Sequence, residues 1–371
     1  MTDVPPPTIP PGAPPRARRI LIIKPSSLGD VIHALPVLAA LRSARPDAHI
    51  AWLVSNSFAP LLEGHPLLDE VIRFDRARYG RMTRSLAAMR DFWRFVAGLR
   101  RGKFDLVVDL QGLIRSGLLG VFSGAPHRLG FADAREGAWL FYSRRGRPEP
   151  DAEHAVDRNL HLLRAIGIRT TQARFPLGLR ADERRDAARL LAQAAGEAVR
   201  SFTAVVPGTR WDSKRWPAEA LGRLVSRMHA AGLGPCVLLG APADRDFAAE
   251  VRAASEAPVV DLVGRTNLRQ LAALIDASDR VVCHDSGPMH IAAALGKPTV
   301  AVFGPTNPAR TGPYSPAAVV VRREMSCAPC YRRNCPLVHH DCMNRLEVDR
   351  VFAEIMALPD RNRHPAPALR R

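Results

Sequence analysis

What the sequence lacks narrows it first. No apolar run approaches the ~20 residues that a membrane-spanning helix needs. No G-x-G-x-x-G follows an apolar strand pattern and no G-x-x-x-x-G-K-[ST] occurs, which argues against a dinucleotide oxidoreductase and a P-loop nucleotidase. H-E-x-x-H is missing too, so no catalytic metal site can be read from the sequence. Aromatic residues make up only 6%, which weakens the case for stacking on single-stranded nucleic acid. The opening, MTDVPPPTIPPGAPPRARRILII, has an apolar run of only four residues before Lys24, too short for a signal-peptide core. It is expected to be a disordered Pro-rich tail over 1–18, with a second tail over 359–371. A cytoplasmic location is expected, with the six cysteines reduced or metal-bound.

A large positive charge is present: +17, with a pI near 10.8. Such a field favours polyanions, whether nucleic acid, anionic lipid or phosphorylated sugar. The 371 residues exceed one ordinary core, and 47% hydrophobic content supports two. Apolar runs that read as strands are ILIIK (20–24), HIAWLV (49–54), EVIRF (70–74) and DLVVDL (105–110). They alternate with helical spacing, as in DVIHALPVLAALRSA, where Pro36 is expected to kink or interrupt the helix. Leu86, Met89, Trp93, Val96 and Leu99 recur at helical intervals and read as one apolar face. Past a charged helical stretch the strands restart at FTAVVPG, PCVLLG, PVVDLVG, DRVVCHD and PTVAVFG. Continuous apolar strands alternating with helices predict parallel sheets covered on both faces. The expected architecture is two Rossmann-like, doubly wound α/β domains, 19–178 and 179–358, facing a central cleft. Ligands in such sheets bind beyond the carboxyl ends of the strands.

Three loops at such strand ends carry candidate chemistry. In VVCHDSGPMHIAAALGKPTVAVFGPT, Asp285 ends a strand, Ser286 is a plausible N-cap, Gly287 admits close approach to the backbone, and Pro288 suits the first helical turn. The open N–H groups of that turn and the helix dipole suit a diphosphate. The plainer alternative is that Asp285 and Ser286 only cap a helix. In VVPGTRWDSKRWP, Lys214 can reach a phosphate as a point charge, whereas Arg215 reads as a solvated loop charge. In KPSSLGDVIHALP a single glycine, Gly29, precedes an acid, Asp30, which occupies the place an anion would take at a helix start.

Together with DLVVDLQGLIRSGLL, these motifs resemble the heptosyltransferases of the lipopolysaccharide inner core, glycosyltransferase family nine, from about residue 19 to 357. The QGLIRSGLL and HAVDRNLHLL segments are most similar to the heptosyltransferase I subgroup. The resemblance implies a GT-B fold with an N-terminal acceptor domain and a C-terminal ADP-sugar domain. It implies inverting transfer of heptose from ADP-L-glycero-D-manno-heptose to Kdo-lipid A, with no metal or other cofactor required. Asp30 then matches the catalytic base. Thr209, Lys214, Asp244, Asp285, Ser286, Gly287, Pro288 and His290 match the donor side. Asp244 stands where the family commonly has a glutamate, and His290 reads equally as a core histidine. Ser27, Gly29, Gln111, Arg115 and Arg128 are expected at the acceptor.

The arginines of RARYGRMTRSLAAMRDFWRFVAGLRRGK suit Kdo carboxylates, lipid A phosphates and an inner-leaflet membrane surface. No nucleic acid partner is expected. Cys327, Cys330, Cys335 and Cys342, with His339 and His340 among them, depart from the subgroup and are candidate ligands of a structural zinc or iron–sulfur centre; buried structural thiols are the alternative. Competing functions are heptosyltransferase II or another family-nine transferase, a non-catalytic polyanion or nucleic-acid binder, and an NAD-dependent enzyme.

Overall fold

The computed structural model describes residues 17–170 and 172–359. The two expected tails therefore lie, apart from residues 17, 18 and 359, outside the described residues. The chain divides into two compact units, the first ending at Gly178 and the second starting at Leu179. In the first unit, β1 (Arg19–Ile23), β2 (His49–Ser55), β3 (Glu70–Phe74), β4 (Leu106–Asp109), β5 (His127–Phe131) and β6 (Arg144–Gly146) form one sheet in the order β3-β2-β1-β4-β5-β6. All its pairings are parallel. In the second, β7 (Thr203–Val206), β8 (Cys236–Leu238), β9 (Val259–Asp261), β10 (Arg280–His284), β11 (Thr299–Phe303) and β12 (Ala318–Arg322) pair in the order β12-β11-β10-β7-β8-β9, again all parallel.

Both orders are the same doubly wound arrangement. From the first strand of each unit the chain winds outward to one side, and from the fourth to the other. The switch points fall between β1 and β4, where Ile23 is level with Asp109, and between β7 and β10, where Val206 is level with Cys283. A crevice opens there at the carboxyl ends of the strands, because the crossovers leave in opposite directions. The central strands are apolar throughout because helices cover both faces: Ile20 to Ile23 and Ala204 to Val206 are almost wholly buried.

Packing corrects two sequence expectations, the first in part. The helix Leu28–Ala44 is not interrupted at Pro36. An interior proline costs roughly 3 kcal/mol, and burial of Val31, Leu35, Val37 and Leu38 around it offsets that. The helix Leu86–Arg101 has two apolar faces in place of one. Ala88, Phe92, Val96 and Leu99 are buried, but Leu86 is 80% exposed, Met89 40% and Trp93 53%.

A buried ion pair ties the helix Ala181–Ala195 to the helix Leu268–Ala277. Arg269 Nε and a terminal guanidinium nitrogen reach the two Glu183 oxygens at 2.7 and 2.5 Å. Burial pushes the Glu183 carboxyl up, but the Arg269 hydrogen bond, the Arg180 N–H and both guanidinium charges outweigh it and hold Glu183 below its ordinary 4.5. A lowered folded-state pKa means stability present above the ordinary value and lost as pH falls through the folded one. Arg269→Ala is thus expected to cost about 1.5–3 kcal/mol in urea unfolding at neutral pH, since Arg180 still pairs with Glu183 at 2.9 Å. The deficit should shrink as acid protonates Glu183. A deficit that is the same at both ends of the pH range would contradict this pairing.

Candidate functional site

In the first unit, Lys24-Pro25-Ser26-Ser27 turns the chain from β1 into the helix Leu28–Ala44. Asp30, third in that helix, closes a capping box: its Oδ2 accepts from Ser27 N–H and Ser27 Oγ, each at 2.8 Å. Gly29 is buried in the same turn. Lys24 Nζ lies 3.6 Å from Asp30 Oδ1 and donates to the Leu110 carbonyl at 2.8 Å. The Asp30 side chain remains 42% exposed. Asp30 is therefore a helix-start acid and also a solvent-reachable carboxylate at the switch point, with a cation beside it.

Across the switch point β4 ends at Asp109, which is 1% exposed. Its Oδ1 accepts from Gln111 N–H at 2.9 Å and Gly112 N–H at 3.2 Å, and its Oδ2 from the Tyr142 hydroxyl at 2.7 Å. Burial pushes the Asp109 carboxyl up, against the pull of Tyr142, Ser116 and those two amides. The Tyr142 ring lies so close over Gly130 that a Cβ there would sit 2.2 Å from it. This buried acid fixes the turn that carries Gln111, whose Oε1 is buried with no hydrogen-bond partner. An orphaned buried acceptor is costly unless a ligand donor meets it. The acid at the end of DLVVD was visible in the sequence, but nothing there pointed to its Tyr142 partner.

The two expected acceptor arginines are placed differently. Arg115 is exposed in the first turn of the helix Ile114–Phe122, which follows this turn, and lines an aromatic cavity. Arg128 sits in the amino half of β5, level with Val107. Its guanidinium donates to the carbonyls of Phe141 and Ala125, at 2.8 and 2.6 Å. Two of its donors thus go to carbonyls, and its place in the strand is away from the carboxyl edge.

In the second unit the loops after β7, β10 and β11 converge. Lys214 Nζ meets Asp285 Oδ2 at 2.6 Å, with side-chain exposures of 16% and 7%. The Thr306 hydroxyl donates to the same oxygen at 2.7 Å, and Lys214 also lies 4.6 Å over the Trp211 ring. Thr209 donates to the Trp211 carbonyl at 2.6 Å, which shapes the loop. Ser286 is the N-cap of the helix Gly287–Ala294 but makes no capping bond; its Oγ is buried without a partner. Pro288 stands in the first helical turn, and His290 is buried in the helix. The turn thus presents open backbone N–H groups, an orphaned hydroxyl and the positive end of a helix, beside a lysine.

Behind it, His284 Nε2 accepts from Trp216 N–H at 3.2 Å, and burial pushes its pKa down to about 4, so the ring is neutral. Asp244 accepts from Ala241 N–H at 2.9 Å and packs on bare backbone: a Cβ on Gly208 would fall 2.1 Å from its carboxyl carbon. Burial pushes Asp244 up, opposed by the Ala241 amide and the Arg215 charge. Arg215 is not the solvated loop charge its context suggested. It is 28% exposed, stacked 5.3 Å over Phe247, with Nε buried and unpaired. No local pattern pointed to Phe247 beneath it.

The cysteine-rich segment packs onto these loops. Ser213 Oγ donates to the Arg332 carbonyl at 2.7 Å, the His340 ring nitrogen meets the Ser213 carbonyl at 2.7 Å, and Tyr331 N–H donates to the Pro305 carbonyl at 2.8 Å. Cys327, Cys330, Cys335 and Cys342 line one small cavity of about 20 Å³, with His339 and His340, and all are free thiols. Among the described residues, the side chains that bring three candidate ligand atoms within 4.8 Å are Glu149, Asp151 and His161, not the cysteines. Burial pushes Cys342 to about 11 and Cys236 to about 12. Iodoacetamide on the native protein near pH 8 is therefore expected to label Cys327, Cys330 and Cys335 and to spare Cys236, Cys283 and Cys342. Mass spectrometry reads this, and prompt labelling of Cys342 would contradict it.

Two doubly wound parallel sheets, one presenting a carboxylate and the other a helix start flanked by a lysine, match the GT-B architecture of the solved heptosyltransferases. The family model for glycosyltransferase family 9 (heptosyltransferase) matches residues 92–340. Lipopolysaccharide heptosyltransferase 1 of Pseudomonas aeruginosa is 31% identical over 357 residues, covering 92% of this chain and 98% of that protein. The structure of Escherichia coli heptosyltransferase WaaC with ADP is similar at a TM-score of 0.72 and 26% identity, covering 91% of this chain and 99% of that one. A family 9 transferase from Veillonella parvula gives a TM-score of 0.79 at 25% identity, covering 92% and 96%. Lipopolysaccharide heptosyltransferase 2 of Escherichia coli is 28% identical over 350 residues, covering 92% of this chain and 98% of that protein. The chain belongs to glycosyltransferase family 9, the heptosyltransferases, and is a glycosyltransferase.

Proposed function

We propose that this enzyme transfers heptose from ADP-L-glycero-D-manno-heptose to Kdo-lipid A, with inversion, during synthesis of the lipopolysaccharide core. The observation that carries the donor half is the uncapped helix start at Ser286, with its unpaired buried hydroxyl, beside the Lys214–Asp285 pair. Such a site is preorganised for a diphosphate. As the glycosidic bond to ADP breaks, negative charge grows on the leaving phosphate, and Lys214 and the helix N–H groups meet it. Asp285 keeps Lys214 in place. Thr209, Gly287 and Pro288 shape the walls, and Asp244 and His290 complete the donor side.

On the acceptor side Asp30 takes the proton from the attacking hydroxyl as oxygen bonds to the anomeric carbon. Ser27 and Gly29 hold Asp30 in its turn, and the free Gln111 Oε1 accepts a second acceptor hydroxyl. No step calls for a metal. Support for the donor comes from the Escherichia coli heptosyltransferase WaaC structures, solved with ADP and with ADP-2-deoxy-2-fluoro heptose. We place the enzyme in the cytoplasm, held at the inner membrane where a lipid-linked acceptor lies. No helix among the described residues is long and apolar enough to cross a membrane.

The test is to incubate the protein with ADP-heptose and Kdo-lipid A, with and without chelator, and follow the lipid by mass spectrometry. A gain of a single heptose in both arms is expected. Relatives of both heptosyltransferase types match this chain, so an acceptor already carrying its first heptose belongs in the same experiment. Transfer only to that acceptor would establish the second type. No transfer to either, with a salt-sensitive gel shift on nucleic acid instead, would replace the proposal with polyanion binding.

A further inference from the structure

The outer face of the helix Leu86–Arg101 is unexplained by the transfer reaction. Leu86, Met89 and Trp93 form an exposed apolar stripe. Beside it opens a cavity of about 450 Å³, walled by the rings of Phe74, Tyr79, Phe92, Trp93 and Phe122. Its size is that of a site for a small organic molecule, and rings dominate its wall. The aromatic cluster is continuous: Trp93 and Phe122 lie 5.8 Å apart, Tyr79 and Phe92 5.7 Å, and Phe74 and Tyr79 5.2 Å.

The charged groups around this mouth are mainly cationic, with Asp75 and Asp91 beside Tyr79 as the acids. Arg76 and Arg115 line the cavity itself. Residues 76–103 hold eight arginines and Lys103 against a single acid, Asp91. That acid is already shared by Arg78 and Arg94. Arg81, Arg84, Arg90 and Arg100 are exposed around the stripe.

We propose that this face docks on an anionic lipid bilayer, with Leu86, Met89 and Trp93 entering the interface and one lipid acyl chain occupying the aromatic cavity. The charge complementarity selects the partner: a hydrophobic stripe ringed by arginines matches acyl chains beneath negative headgroups. Tryptophan at the boundary is the residue type favoured there. The inference deepens the reading of a lipid-linked acceptor and rests on it for its purpose, but the binding is measured without any transfer.

The test uses vesicles of phosphatidylglycerol and phosphatidylcholine, with phosphatidylcholine alone as control. The full-length protein should sediment with the anionic vesicles and not with the neutral ones. Lipids brominated on the acyl chain should quench tryptophan fluorescence, and Trp93→Phe should remove most of that quenching. Leu86→Glu with Trp93→Glu should weaken vesicle binding by at least about tenfold. Both side chains are more than half exposed, so the fold should persist, with a small fall in melting temperature where Trp93 leaves Phe92 and Phe122, and the rate on a water-soluble Kdo acceptor should be unchanged. Absence of vesicle binding overturns the docking face. Vesicle binding without bromine quenching, or undiminished in the double variant, overturns the acyl site and leaves charge alone as the cause. Capture of an acidic protein in preference to vesicles would also overturn it. Failure of transfer to the soluble acceptor by the unmodified protein would sink the proposed reaction and leave the vesicle result standing.

Discussion

Asp30→Asn lowers kcat for heptosyl transfer by about 10²–10⁴ while the fold and the donor affinity persist, if this carboxylate is the base. The substitution is chosen for what it keeps. Asp30 Oδ2 holds the Ser27 amide and hydroxyl at 2.8 Å, and the asparagine amide oxygen can still accept one of them. A role confined to closing the helix start predicts only a capping loss of about 1 kcal/mol. That would appear as a lower melting temperature with kcat nearly intact. The catalytic role predicts the opposite split: a small stability change and a large loss of rate, with ADP binding measured by calorimetry unaffected.

Glutamate is the second variant, because it keeps the charge but moves it by one methylene. Its rate should lie between the other two proteins. Asp30→Asn retaining a rate within a few-fold of the unmodified enzyme would remove the base from the mechanism and leave Asp30 as a helix acid held near Lys24.

How much of this was legible in the sequence follows from which forces are local. Nine strands announce themselves as largely apolar runs, all but β2 closed by glycine, proline or an acid, because the inner strands of a sheet covered on both faces are apolar. The three left unread fail for physical reasons. β6 is Arg144–Gly146, three residues at a sheet edge with no apolar side chain. β5, HRLGF, draws its burial from Leu129 to Phe131 only. β12 follows a four-residue helix, Pro308–Thr311, so the usual spacing of strand and full helix is broken there.

The site was legible as loops but not as contacts. Small and polar residues after apolar strands marked Asp30, Lys214 and Ser286. Whether a charge in such a loop is solvated depends on residues far along the chain. Arg215 is covered by Phe247, and Arg128 is drawn off by the carbonyls of Ala125 and Phe141. The same limit explains the helix Leu86–Arg101. A 3.6-residue period accommodates both Ala88-Phe92-Val96-Leu99 and Leu86-Met89-Trp93, and only the neighbouring helices decide which set faces inward.

Lys214→Met should raise the Kd for the ADP-sugar by about 10- to 100-fold, the equivalent of losing one charge-assisted contact of roughly 1.5–3 kcal/mol, and should lower kcat as well. Methionine keeps the stem over Trp211 and removes only the charge. The complication is Asp285. Its oxygen sits 2.6 Å from the ammonium and is nearly buried, with Thr306 as its other partner on that oxygen. Deleting one member of a buried pair leaves the other uncompensated, which by itself costs several kcal/mol.

Loss of activity in the single variant is therefore ambiguous, and a double-mutant cycle with Asp285→Asn resolves it. If Lys214 only neutralises Asp285, the double variant regains both stability and transfer. If Lys214 also meets the leaving diphosphate, the double variant regains stability alone, and donor binding and kcat stay low because nothing replaces the ammonium where negative charge develops. Recovery of transfer in the double variant would move the cation that stabilises departing ADP away from Lys214. Arg215, close enough to shift Asp244 and His284, would then be the side chain to replace next.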